Sequence, residues 1–165
     1  MEDLVKDFPD LRHLGVITLR LIIAMALGSI IGAQREHIGK PAGLRTHMLI
    51  SLGAALFIMT SIEFGMDMAG TSRVLQGLVT GIGFLGAGAI LKVQETRQIE
   101  GLTTAAGMWM TAAIGVAVGL GRLGLALVSA VLAWLTLSFI GKIERRIIRR
   151  ESANEPRLDN DRDQR

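Results

Sequence analysis

Residues 77–92, GLVTGIGFLGAGAILK, hold five glycines, Gly77, Gly81, Gly83, Gly86 and Gly88, and no charge before Lys92. In a water-soluble helix each interior glycine costs about 1 kcal/mol relative to alanine. In a bilayer the same pattern is favourable. The backbone there must satisfy its own hydrogen bonds, and small residues let helices approach closely. Gly77 and Gly81 lie one turn apart with Gly88 on nearly the same side, while Gly83 and Gly86 open a second side. A helix notched on two sides can meet several neighbours, so this segment is expected at the centre of a helical bundle.

A rival reading fits the same letters. Gly81, Gly83 and Gly86 match the dinucleotide fingerprint G-x-G-x-x-G, and Glu100 follows at a suitable distance. That fingerprint needs a strand before it and a helix after it. Here the apolar run passes through the glycines without a break. The phosphate-loop spacing from Gly83 to Gly88 has Ala89 where lysine is required. Nucleotide binding is therefore set aside.

Half of the 165 residues are apolar, mean hydropathy is +0.43, and charge gathers at the ends of the chain. Long uncharged runs of this kind mark a membrane protein. The chain has no cysteine, which excludes disulfides and thiolate metal sites. His13, His37 and His47 are too scattered for a zinc cluster. The net charge of +3 lies beside apolar segments and not along a nucleic-acid face. The acidic N-terminus has no basic n-region, so no signal peptide is expected.

The fold class read from this pattern is an all-α membrane protein, a bundle of about five transmembrane helices packed through glycine and other small residues. The spans are placed at 14–33, 47–62, 74–91, 102–120 and 123–140, each near the roughly 20 residues that cross a bilayer, with the second the shortest. Lysine and arginine set the orientation. Thirteen fall in the 34–46 and 92–101 linkers and the C-terminal tail, against four on the other side. This places the polar tail 1–13 outside and the basic tail 142–165 in the cytoplasm. Residues 141–150 read as a basic helical extension on the headgroups or a plain topology anchor, and 151–165 as disordered.

Small residues recur at helix-stacking intervals: Ala24, Gly28 and Gly32; Thr103, Gly107, Thr111, Gly115 and Gly119; Ala126 with Ala130, and Ser129 with Ala133. These faces hold a bundle together and, with the 77–88 glycines, suit self-association, a dimer being the expected homo-oligomer. Trp109 and Trp134 fall mid-span and read as packing residues.

The polar groups are few. Arg20 sits inside the first apolar run, roughly 9 Å in at 1.5 Å per residue, where an arginine costs on the order of 3 kcal/mol unless it snorkels. It either reaches the outer interface or points into the bundle. No carboxylate lies deep in a span, which counts against a dry magnesium site and a divalent-cation carrier. The loop 34–47, QREHIGKPAGLRTH, supplies Arg35, Glu36, Arg45, Thr46 and His47. Thr46 is the expected N-cap of the second helix, whose N-terminus would attract an anion or an acidic partner. The plain alternative is a positive-inside hairpin. Gln76 and Thr80, one turn apart, and Thr103 with Thr104 are further candidates for interhelical hydrogen bonds. No serine has a histidine and an acid at triad spacing, so no catalytic residues, metal or cofactor are assigned, and no enzyme is expected.

Taken in order, these motifs resemble the MgtC/SapB family of bacterial inner-membrane proteins over about residues 19–120. The likeness rests on Arg20, on Gln34-Arg35-Glu36, on residues 41–47 (PAGLRTH), on 80–88 (TGIGFLGAG), and on 101–106 (GLTTAA) with Trp109. It implies a multi-span protein without established catalysis, associated with adaptation to low magnesium and, in pathogens, with survival in macrophages. At least one member is held to restrain the F-type ATP synthase. Two departures stand out. Gln34 occupies a position where the family often has Glu, and the cytoplasmic domain of the longer members has no counterpart in the last 25 or so residues, so the shorter SapB-like branch fits better. The expected function is regulation of a membrane process by contact with a membrane partner. The alternative is a small-ion transporter or channel with Arg20 on its path, and a third reading is a structural scaffold.

Overall fold

The computed structural model of the chain describes residues 10–92 and 99–140. Five α-helices follow one another: α1 Leu11–His37, α2 Leu44–Glu63, α3 Met68–Gly88, α4 Leu102–Gly119 and α5 Leu123–Leu135. Between α3 and α4 a two-residue antiparallel ladder pairs β1 (Leu91–Lys92) with β2 (Ile99–Glu100), Leu91 opposite Glu100. Residues up to Trp134 form one unit. Those from Leu135 form a second, described as far as the π-helical turn Thr136–Ile140. The chain is an all-α membrane protein. By length and composition α1, α2 and α4 are each able to cross a bilayer, and α5 is a shorter apolar helix. The expected extension 141–150, the tails and the middle of the 92–101 loop lie outside the described residues.

Three helices make the core. On α1 the buried stripe is Ala24, Leu27, Gly28, Ile31, Gly32 and Arg35, spaced three and four apart as one helical face requires. Gly28 faces the His47 carbonyl oxygen, which a Cβ would meet at 2.6 Å, and Gly32 faces the Leu44 backbone at 2.8 Å. The residue order in these contacts makes α1 and α2 antiparallel. Gly115 of α4 abuts the Ser51 carbonyl, and Gly119 abuts that of Ala55 at 2.8 Å, so α2 and α4 run parallel. At each crossing a side chain would strike backbone, so the glycines set the spacing between helices. α4 is the most enclosed helix, with buried residues around most of its circumference.

The glycine-rich helix α3 is not at the centre. It lies outside α2 and α4 and buries only Ile82 and Gly86. Gly86 meets Ala105 at an ordinary 3.5 Å, whereas Gly77, Gly81, Gly83 and Gly88 have nothing among the described residues within 4 Å of a Cβ position. Leu78 and Ile82 make the packing instead, against Ile50, Ala54, Ala112 and Val116. The expectation failed because glycine spacing records that a face can approach another closely, not that a partner stands there. An apolar groove of about 710 Å³ runs between α3 and α2, past Gly53, Phe57, Gly77 and Gly81. The fingerprint glycines 81, 83 and 86 sit within one unbroken helix.

Local chemistry sets the helix ends. Asp67 caps α3 by accepting from Gly70 N at 2.7 Å. Gly101, the N-cap of α4, has φ +92°, and a Cβ there would collide with the Ala89 carbonyl. This glycine lets the chain end its ladder and turn directly into α4. Gly101→Ala is therefore expected to lower the melting temperature of the detergent-solubilised protein by several degrees, through a left-handed backbone penalty of about 1–2 kcal/mol plus the carbonyl clash. Gly88→Ala, in open space, should leave it unchanged or raise it.

Candidate functional site

The polar residues of the sequence divide between the two ends of the core. At the end where α1 stops and α2 and α4 begin, Arg35 is 2% exposed although nothing in the described chain neutralises it. Its Nη2 donates to Thr104 Oγ1 at 2.7 Å and more weakly to Thr103 Oγ1 at 3.4 Å. Thr104 is fully buried, and Thr103 is exposed at the start of α4. Arg35 falls here because the 24–28–31–35 stripe that packs α1 into the core runs on into its last turn. The guanidinium is thus bound to neutral hydroxyls, and its Nε is buried without a partner. A buried charge of this kind costs several kcal/mol unless something opposite it supplies compensation.

The neighbouring acid is committed elsewhere. Glu36 Oε2 accepts from Leu44 N at 2.8 Å, so a carboxylate from α1 caps α2. Gly43 is the N-cap residue, and a Cβ on it would stand 2.8 Å from that same oxygen. This corrects the expectation for Thr46, which lies inside the first turn of α2. A cap donated by a different helix leaves no local signature in residues 43–47. The helix N-terminus expected to attract an anion therefore already holds the Glu36 carboxylate.

His47 is fully buried between α1 and α4. Its Nδ1 lies 3.0 Å from Gly43 O. A carbonyl only accepts, so Nδ1 is assigned the proton. Nε2 points away, 3.5 Å from where a Cβ on Gly107 would be, and has no partner. Gln34 Oε1 and Ser51 Oγ are likewise buried and unpaired. Thr104 and Gly107 are three residues apart on one face of α4, so Arg35 and His47 meet that helix about one turn from each other. Arg35, His47 and Thr104, read from the sequence as separate candidates, lie at the same end of the core. Ser51 and the amide of Gln34 were missed. The available signal was Ser51 standing one turn after His47 on the face of α2 that meets Gly28.

The other candidates lie apart. Arg45 is exposed and Thr46 half-buried. Gln76 and Thr80 are exposed on α3, where Thr80 Oγ1 donates to the Gln76 carbonyl of its own helix at 2.9 Å, not to a neighbouring helix. Arg20 is at the opposite end, half-buried, its guanidinium beside Gly121 in the α4–α5 turn. There it lines a cavity of about 170 Å³ with His13, Met59 and Glu63, and His13 pairs with Glu63 at 2.9 Å. Among the described residues no three of His, Asp and Glu gather where they could hold a metal ion.

Replacing Thr104 with Val should destabilise the protein by about 1–3 kcal/mol, because it strands a buried charged donor. Thr103→Val should cost much less. Glu36→Ala should cost about 0.5–2 kcal/mol through the lost cap. Denaturant unfolding in micelles, followed by circular dichroism, measures all three.

Comparison with known proteins adds the following. The MgtC family profile matches residues 21–146. Protein SrpB of Synechococcus elongatus is 40% identical over 140 residues, 78% of this chain and 77% of its own. Protein MgtC of Salmonella typhimurium is 45% identical over 114 residues, 69% of this chain but 48% of its own. The protein named putative magnesium transporter YhiD of Escherichia coli K12 is 41% identical over 138 residues, 79% of this chain and 63% of its own. The chain thus spans about half of one of these relatives and less than two-thirds of another. No solved structure matches it.

Proposed function

This chain belongs to the MgtC family, and on that premise we propose that it is a non-enzymatic regulator of a membrane process tied to magnesium supply. It acts by contact with a membrane partner at the Arg35 end of its core, in the bacterial inner membrane with its C-terminus in the cytoplasm. The magnesium link comes from the relatives, one of which is named a putative magnesium transporter.

The observation that carries the regulatory reading is the closure of the three-helix core. Gly28, Gly115 and Gly119 bring helices into backbone contact along the length of α2. A carrier for a hydrated ion needs polar groups lining a route from end to end. Here the charged groups lie at the two ends, around Arg35 and around Arg20; between them the buried polar groups are single hydroxyls, Ser51, Thr111 and Ser61, set among Ala24, Leu27, Ala55, Ile114 and Val118. The Arg35 cluster rests on the rigid part of the molecule and adjoins the basic loop 38–43, which suits a contact site. The glycines of α3 that meet nothing among the described residues suit a dimer.

The transport reading keeps one observation in its favour, the cavity that Arg20 shares with His13 and Glu63. Liposomes carrying the purified protein decide between the two. The regulatory reading expects no flux of magnesium, protons or small anions above that of empty vesicles. Flux that disappears in Arg20→Ala would overturn it. The partner arm uses a photocrosslinking residue at Arg45 in native membranes, which should trap one discrete membrane protein, with trapping lost in Arg35→Met.

A further inference from the structure

We infer that the cluster around Arg35 is a binding site for one small anion, a carboxylate or phosphate-type group, held between α1, α2 and α4. This rests on the reading that the Arg35 end is the working end of the bundle, and it names the ligand class of that end.

Three observations lead to it. The first is charge. A guanidinium offers five N–H donors in a planar fork that matches an oxyanion. In Arg35 the protein contacts run through Nη2 to two threonine hydroxyls, both neutral, and Nε is buried without a partner. Among the described residues the only ion pair is His13–Glu63 at the far end, and the carboxylate nearest in sequence, Glu36, is occupied by Leu44 N.

The second is the second donor. His47 is fully buried, Nδ1 is used by Gly43 O, and Nε2 is unpaired. A neutral ring accepts a proton-bearing anion at Nε2, and a protonated ring donates to a deprotonated one, so Nε2 serves either form. The third is room. Gly107 has no side chain, and a methyl group added there would sit at 3.5 Å from Nε2, in ordinary contact. The face of α4 beside Nε2 thus carries no side chain of its own. The groups present, a guanidinium, an imidazole and hydroxyls, suit an anion and not a divalent cation, which would need carboxylates.

The test uses the full chain in an uncharged detergent, with sodium phosphate and sodium acetate as probes and the melting temperature as readout. Binding to the folded state raises that temperature with the logarithm of probe concentration. The wild type and the exposed-site control Arg73→Gln are expected to show the rise. Arg35→Met and Gly107→Ala are expected to lose it, the second without loss of fold because its Cβ meets nothing closer than 3.5 Å. If Arg35→Met does not fold, Arg35→Lys replaces it and should shift the midpoint concentration upward at least tenfold, since it keeps the charge and loses the fork. A rise with phosphate and not acetate assigns a phosphate. An anionic lipid that co-purifies with wild type, is absent from Arg35→Met and is displaced by phosphate assigns that phosphate to a headgroup. Equal rises with both probes assign a carboxylate such as an acidic side chain. The inference is overturned if neither probe shifts the wild type or if the shift persists in Arg35→Met. Persistence in Gly107→Ala alone contradicts the arrangement beside His47. Absence of anion binding with vesicles still tight and the crosslink intact would remove this inference and leave the regulatory reading standing.

Discussion

Everything else in this molecule depends on three helices coming close enough for backbone to touch backbone. Gly28 and Gly32 admit α2 to α1, and Gly115 and Gly119 admit it to α4. In hydrocarbon there is no hydrophobic reward for association, so dispersion contacts and polar pairs between helices must hold them. Close approach multiplies those contacts. It also decides which polar side chains end up shielded: Arg35, His47, Ser51, Thr104 and Thr111 are buried because they lie on the same stripes as the glycines.

That placement creates the tension at the Arg35 end. Thr111 is content, donating to the Gly107 carbonyl at 2.9 Å. Arg35 and His47 are only partly satisfied. A fold selected for stability alone would have met the guanidinium with an acid or replaced it by an apolar residue, which is often neutral or stabilising in a buried position. A buried charge that no acid among the described residues compensates is the feature on which the proposed contact site rests, a local cost of the kind that functional sites carry.

Much of this was legible in the sequence. The helical class followed from long apolar runs, and the core face of α1 from the Ala24-Gly28-Gly32 spacing. The α4 ladder through Thr103, Gly107, Thr111, Gly115 and Gly119 is buried from Gly107 onward, while Thr103 at its start is exposed. Arg35, His47 and Thr104 stand out in the sequence as polar groups at the ends of apolar runs. The failures have a common physical cause. The glycines of α3 outnumber those of any other described helix, yet Gly77, Gly81, Gly83 and Gly88 meet nothing among the described residues, and Gly77 and Gly81 line an open groove, because a one-dimensional pattern does not say which notched face finds a neighbour. The cap on α2 comes from Glu36 across a turn, and Thr80 satisfies itself on its own helix. Such pairings depend on the angle at which helices leave a loop, which no local spacing encodes.

The most direct test of the account is a size series, Gly to Ala to Leu, made separately at Gly28 and Gly115 and, as controls, at Gly15 and Gly53, where a Cβ would meet nothing within 4 Å. Melting temperature in a single detergent is the readout. The account predicts a stepwise fall at Gly28 and Gly115, beginning already with alanine, and flat or slightly rising values at Gly15 and Gly53. Equal tolerance at all four positions would contradict it, since the helices would then not be in backbone contact.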